Sequence, residues 1–137
     1  MAKSLQDKVI IVTGAGRGIG REIALLCAAE GAKVVVNDPG GAADGAGTSA
    51  APAEEVVEEI KKRGGTAIAN FETVAEAIPA SKIVKMATDT YGKLDGVVNN
   101  AGILRDAIFH RMSIDAFEAV INVHLMGSFY VAHAAAR

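Results

Sequence analysis

A single cysteine, Cys27, leaves the 137-residue chain no internal disulfide, which excludes the stapled scaffolds of small secreted proteins and fits a reducing compartment. Cys27 lies within "IALLCAA" and reads as a small buried hydrophobe. Tryptophan is absent and aromatics make up 4% of the residues, although half are hydrophobic. The core is therefore expected to consist of Val, Ile, Leu and Ala packed between helices and strands, the composition of α/β layering. Neither charge dominates, with 14 Lys and Arg against 16 Asp and Glu. The one basic run, Lys61 to Arg63, falls where a helix pattern ends and the helix dipole favours cations, so nucleic acid is not expected as a partner. No apolar run approaches the roughly 18 residues of a membrane span. A soluble cytoplasmic protein with one domain over residues 1–137 is expected. His110, His124 and His133 have no metal-ligand spacing, so no metal site is expected.

What the chain does contain is an alternation of short β-branched runs with helical periodicity. "KVIIVT" (Lys8–Thr13) and "KVVVN" (Lys33–Asn37) have the pattern of strands buried on both faces of a parallel sheet, and "GREIALLCAAEG" between them has helical spacing. "DPGGAADGAGTSAAPAEE" reads as a loop too polar and glycine-dense to pack, leading to a helix that carries Pro52 in its first turn and runs through Arg63. "TAIAN" supplies a third strand, "ASKIVKMATDTYG" a third helix ending at Gly92, and "DGVVNNAG" a fourth strand. Ser113 then caps a long helix still running at Arg137. Four β-then-α units with right-handed crossovers predict a Rossmann-like, doubly wound parallel sheet of order 3-2-1-4, cut short before the remaining strands of such a fold.

"VTGAGRGIGREI" (Val12–Ile23) joins the first strand to the first helix. A strand that ends in glycines and opens a helix aims free backbone N–H groups and the positive end of the helix dipole at one point, which makes an anion site. Neither G-x-x-x-x-G-K-[ST] nor G-x-G-x-x-G can be written through Gly14 to Gly20; T-G-x-x-x-G-x-G fits, on Thr13, Gly14, Gly18 and Gly20. Asp38 ends the second strand close to the offset of about 20 residues at which a carboxylate accepts the ribose hydroxyls of a dinucleotide. "NNAG" (Asn99–Gly102) ends the fourth strand, beside the first, at the topological switch point where ligands bind.

T-G-x-x-x-G-x-G followed downstream by N-N-A-G resembles the short-chain dehydrogenase/reductase family over the whole chain. The resemblance implies that Gly14, Arg17, Gly18, Ile19 and Gly20 wrap the pyrophosphate of a nicotinamide dinucleotide. It implies that Asn100, Ala101 and Gly102 stabilise the central strand and flank the cofactor ribose, and that Glu72 and Thr73, in "NFETV", contact the adenine. Asp38 would repel a 2′-phosphate by roughly 4 kcal/mol per unit charge at 4 Å. Arg17 would offset part of that repulsion but has a pyrophosphate to serve in either cofactor, so NAD is expected rather than NADP.

The family's catalytic signature, a Ser followed by Y-x-x-x-K, is missing: Tyr91 is followed at the fourth position by Asp95, and Tyr130 by Ala134. A further member of the catalytic set, an Asn in the long helix, falls by count on His124 and not on Asn122. On a regular helix, the two positions differ by about 200°. His124 is expected on a face with Phe117, Val120, Ile121 and Leu125, with Asn122 pointing away. That His, the Gly-rich insertion after "VVVND", "KKRGGTAIAN" and "NNAGILRD" together resemble one branch, the (3R)-hydroxyacyl-CoA dehydrogenase units of multifunctional β-oxidation enzymes and their bacterial relatives. This implies a small-molecule substrate, an acyl thioester, and a homo-oligomer. The alternative is a dinucleotide-binding module without catalysis.

Overall fold

The computed structural model describes residues 2–137. Strands β1 (Val9–Thr13), β2 (Lys33–Asn37), β3 (Thr66–Asn70) and β4 (Gly96–Val98) form one parallel sheet in the order β3-β2-β1-β4. The fold is thus the expected Rossmann-like one, wound outward from β1. Helices α1 (Gly18–Ala29), α2 (Ala51–Lys62) and α3 (Ala77–Tyr91) make the crossovers, and α4 (Ile114–Ile121) and α5 (Gly127–Ala135) follow β4.

The period of two along each strand sorts the core into two layers. Ile10, Val12, Val34 and Val36 face α1 and α2, meeting Ala24, Leu25, Ala28, Val56 and Ile60. Val9, Ile11 and Val35 point the other way, onto Ala80, Ile83 and Ala87 of α3 and Val131 of α5. Each fully buried Val or Ile here contributes about 1.5–3 kcal/mol relative to an exposed one. Cys27 is only half-buried, a correction to the expected burial: it packs against the edge of the first layer, and burial still pushes its thiol pKa up. Among the described residues no helix is long and apolar enough to cross a membrane.

Asp95 fastens the start of the sheet. Its carboxylate accepts from the Val9 amide at 2.8 Å and lies 2.9 Å from Lys93 Nζ. The hydrogen bond from Lys93, and after it that from Val9, hold its pKa below the ordinary carboxylate value. A pKa depressed on folding gives stability that is full above the unfolded value, about 3.9, and is lost as pH falls through the folded value. The stability gap between wild type and Asp95→Asn should therefore narrow in melting curves taken from pH ~5 down to pH ~2. A gap that stays constant across that range would count against this role.

The long C-terminal helix begins as expected, with Ser113 Oγ accepting from the Ala116 amide at 3.1 Å. It is not regular, however. A π-helical turn, Asn122–Met126, separates α4 from α5. Such a turn widens the i→i−4 ladder by one residue and resets which side chains share a face.

Candidate functional site

The C-terminal ends of the strands open on a cleft of about 640 Å³, within the range of small-molecule sites. At its centre the loops after β1 and β4 lock together. Thr13 Oγ1 accepts from the amides of Asn100 (3.1 Å) and Ala101 (3.0 Å), and Asn100 Nδ2 donates to the carbonyls of Thr13 (3.1 Å) and Gly14 (3.2 Å). The glycines are what allow the approach. A Cβ on Gly14 would lie 2.8 Å from Ala101 Cα, and one on Gly20 only 2.2 Å from the Gly14 carbonyl oxygen and 2.4 Å from Asn100 Nδ2. Gly18 differs: its φ of +56° demands glycine, yet a Cβ there would meet nothing within 4 Å.

Beside this junction α1 begins without a cap. Its N-cap residue, Arg17, makes no side-chain capping bond and the first turn holds no acidic residue. The opening N–H groups, with Ile19 and Gly20 at the cleft wall, form a positive pole that no side chain of the helix's own first turn neutralises. An anionic diphosphate is the chemistry such a pole accepts, so the residues present fit the cofactor.

Asp38, at the end of β2, lines the same cleft. Its Oδ2 accepts from the Gly16 amide at 2.9 Å and its Oδ1 from the Gly40 amide at 2.6 Å. Both oxygens retain lone pairs for a further donor. The carboxylate thus has a fixed orientation.

The glycine-rich segment after Asp38 is the expected loop, exposed over residues 42–50. It is nonetheless fastened to its surroundings through its main chain. The Ala43 carbonyl accepts from the Leu104 amide at 2.9 Å, the Asp44 carbonyl from Arg105 Nε at 2.7 Å, and the Gly41 carbonyl from the Arg17 guanidinium. Gly45 rests on Ile103, 3.0 Å from where its Cβ would stand. Gly41, Ala42, Ala43 and Gly45 of the segment line the cleft, as do Thr73, Val74, Ala75, Ala119, Asn122 and Val123.

Of the residues expected at the site, Gly14, Arg17, Ile19, Gly20, Asp38, Thr73, Asn100, Ala101 and Gly102 all line the cleft. Gly18 is exposed in the turn and, like Glu72, does not line the cleft, although the peptide groups of Glu72 are held beside it. Asn122 lines the cleft with Ala119 and Val123, at i, i+3 and i+4 spacing, whereas Phe117, Val120, Ile121, His124 and Leu125 do not, so the cleft lies on the face away from His124. His124, expected at the catalytic position, does not line the cleft; it contacts Ile103, which does. Its Nε2 is 3.1 Å from the Ile103 nitrogen and 3.0 Å from the Ile103 oxygen, so either tautomer finds a partner there. Gly102 permits this contact, since its Cβ would lie 2.6 Å from His124 Cε1.

Neither tyrosine lines the cleft. Tyr91 ends α3 with its hydroxyl buried and unpartnered, and burial raises its pKa. The sequence reading overlooked Arg105, which latches the glycine-rich segment, and Asn37 and Asn70, which are buried at the strand ends. The only signal for the last two was a polar residue closing an apolar strand.

Residues 8–137 match the family profile described as short chain dehydrogenase. The chain is 56% identical over 131 residues to a protein of Mycobacterium tuberculosis described as a short-chain type dehydrogenase/reductase, covering 96% of this chain and 46% of that one. It is 46% identical over 132 residues to the peroxisomal hydratase-dehydrogenase-epimerase of Saccharomyces cerevisiae, covering 96% of this chain and 14% of the relative. It therefore spans less than half the length of either relative. Among solved structures, a short chain dehydrogenase from Burkholderia cenocepacia J2315 in complex with NADP superimposes with a TM-score of 0.86 at 34% identity, covering 97% of this chain and 51% of that one. With the glycine turn, Asp38 and the N-N-A-G loop converging on one cleft, and the family profile matched from Lys8 to the last residue, this chain belongs to the short-chain dehydrogenase family.

Proposed function

We propose that the chain supplies the cofactor-binding part of an NAD-dependent oxidoreductase that interconverts a secondary alcohol and a ketone on a 3-hydroxyacyl thioester. The observation that carries this reading is the uncapped start of α1 facing the same cleft as the oriented Asp38 carboxylate. When bound, the dinucleotide would supply the hydride acceptor or donor; the chain's own residues hold and orient it. The amides of the Gly14–Gly20 turn take the diphosphate, with Arg17 alongside. Asp38 accepts from the adenosine ribose hydroxyls, and Thr73 faces the adenine. Asn100, Ala101 and Gly102 hold the other ribose, and His124 steadies that loop through its contact with Ile103.

Two features favour NAD over the NADP held by the Burkholderia relative. A 2′-phosphate would meet the Asp38 carboxylate, and the Arg17 guanidinium, the basic group best placed to offset that repulsion, is tied to the Gly41 carbonyl. The thioester reading leans on likeness to the multifunctional peroxisomal relative. Phe117, Leu125 and Phe129 are each more than half exposed along the C-terminal helix, which favours packing against a second copy.

The Ser, Tyr and Lys that would move the proton are not in these 137 residues. The reading expects them in the frame that follows Arg137, and expects the whole product to oxidise NADH in the presence of acetoacetyl-CoA. A product that binds NADH but contains no Y-x-x-x-K and leaves the ketone untouched would identify a non-catalytic dinucleotide-binding module instead.

A further inference from the structure

The outer side of the cleft holds a buried polar pair that the reading above leaves without a task. Asn37 and Asn70 are register partners at the ends of β2 and β3, in line with Thr13 of β1, and are 0% and 2% exposed. Asn37 Nδ2 donates to Asn70 Oδ1 at 2.8 Å and to the Glu72 carbonyl at 2.9 Å. Asn70 Oδ1 also accepts from the Glu72 amide at 3.0 Å. The N–H and the C=O of Glu72 therefore both end on the asparagine pair. Downstream, Thr73 Oγ1 accepts from the Ala75 amide at 3.1 Å, and Val74 fits against Gly127, where a Cβ would stand 2.7 Å from Val74 Cγ2. Residues 72–75 are held from both sides, and Thr73, Val74 and Ala75 line the cleft.

The arrangement is not the most stable one available. Asn37 Oδ1 is buried without a partner, which costs about 1–3 kcal/mol. The preceding residues, Val34, Val35 and Val36, show what a strand built only for burial contains at such positions. What Asn37 provides in return is the grip of its Nδ2 on Glu72.

Sheet order indicates which part of a ligand this segment meets. A diphosphate at the end of β1 and a ribose at Asp38 on β2 leave the base at the next strand outward, β3. We infer that Asn37 and Asn70 are positioning residues, which hold the backbone of residues 72–75 as a fixed edge that reads the adenine of the dinucleotide. This rests on the dinucleotide reading of the cleft. The peptide groups of Glu72 are taken by the asparagines, so the edge consists of the cleft-lining Thr73, Val74 and Ala75. A carbonyl held still there accepts from the 6-amino group of adenine and repels the 6-oxo group of hypoxanthine, and a loosened one does neither.

The test is a fluorescence titration of wild type and Asn37→Leu with NADH and with reduced nicotinamide hypoxanthine dinucleotide. Wild type should prefer NADH by at least about tenfold. The near-isosteric leucine should weaken NADH about tenfold and leave the hypoxanthine analogue unchanged, so that the preference collapses. An unchanged preference overturns the inference, and so does an equal loss for both dinucleotides, which marks a general structural role. If Asn37→Leu does not fold, Asn70→Ala serves: a reduced preference supports the inference and an intact one overturns it. A wild-type chain that binds neither dinucleotide contradicts the reading of the cleft itself, whereas equal wild-type affinity for both contradicts the adenine edge alone.

Discussion

Replacing Gly20 with alanine is expected to lower stability by about 3 kcal/mol, roughly 10 °C in melting temperature, and to abolish measurable NADH binding. The new methyl group would stand 2.2 Å from the Gly14 carbonyl oxygen and 2.4 Å from Asn100 Nδ2. The first is main chain, and the second is held by two carbonyls, so neither can turn aside. Relief requires the loops after β1 and β4 to separate, which breaks the junction that places the α1 amides. Gly18→Ala is the control. It carries strain of about 1–2 kcal/mol from its positive φ but no collision, and should be the milder of the two in melting temperature. If the Gly20 variant melts with wild type, the packed junction is not what the glycine serves.

The second large effect is at Asp38. Asp38→Asn keeps the side-chain shape and an oxygen for the Gly16 or Gly40 amide, but removes the charge. A hydrogen bond to a charged partner contributes about 1.5–3 kcal/mol, so NADH should bind at least about tenfold more weakly. The 2′-phosphate of NADPH is at the same time relieved of repulsion by a neighbouring carboxylate. The ratio of NADH to NADPH affinity should then fall about 100-fold, or about 2.8 kcal/mol. A ratio that does not move would place cofactor choice elsewhere in the cleft.

The architecture was readable in the sequence because its signals are carried by residue type. β-branched runs such as "VIIVT" and "KVVVN" allow little but buried parallel strands, and the glycine turn, Asp38 and the N-N-A-G loop lie at strand ends that the 3-2-1-4 order brings together. What escaped was carried by the backbone. The segment from Gly40 to Gly47 has no apolar side chain larger than alanine, so it reads as free loop, yet it docks through the carbonyls of Gly41, Ala43 and Asp44. The π-helical turn at Asn122–Met126 has no residue-type signature, and a regular helix is what the sequence alone suggests there. Asn37 and Asn70 each look like an ordinary strand end; only register shows that they meet. For Glu72 the sequence displays only a side chain, whereas its peptide groups are what the structure fixes.

The most direct measurement is a competition titration of the purified chain, following the nicotinamide fluorescence of NADH and NADPH with ADP-ribose as displacer. Saturable NADH binding in the micromolar range, fully displaced by ADP-ribose, with NADPH at least about tenfold weaker, is the expected result. NADH binding that ADP-ribose leaves untouched would mean that the diphosphate and adenosine do not rest on the glycine turn and Asp38, and would contradict the account.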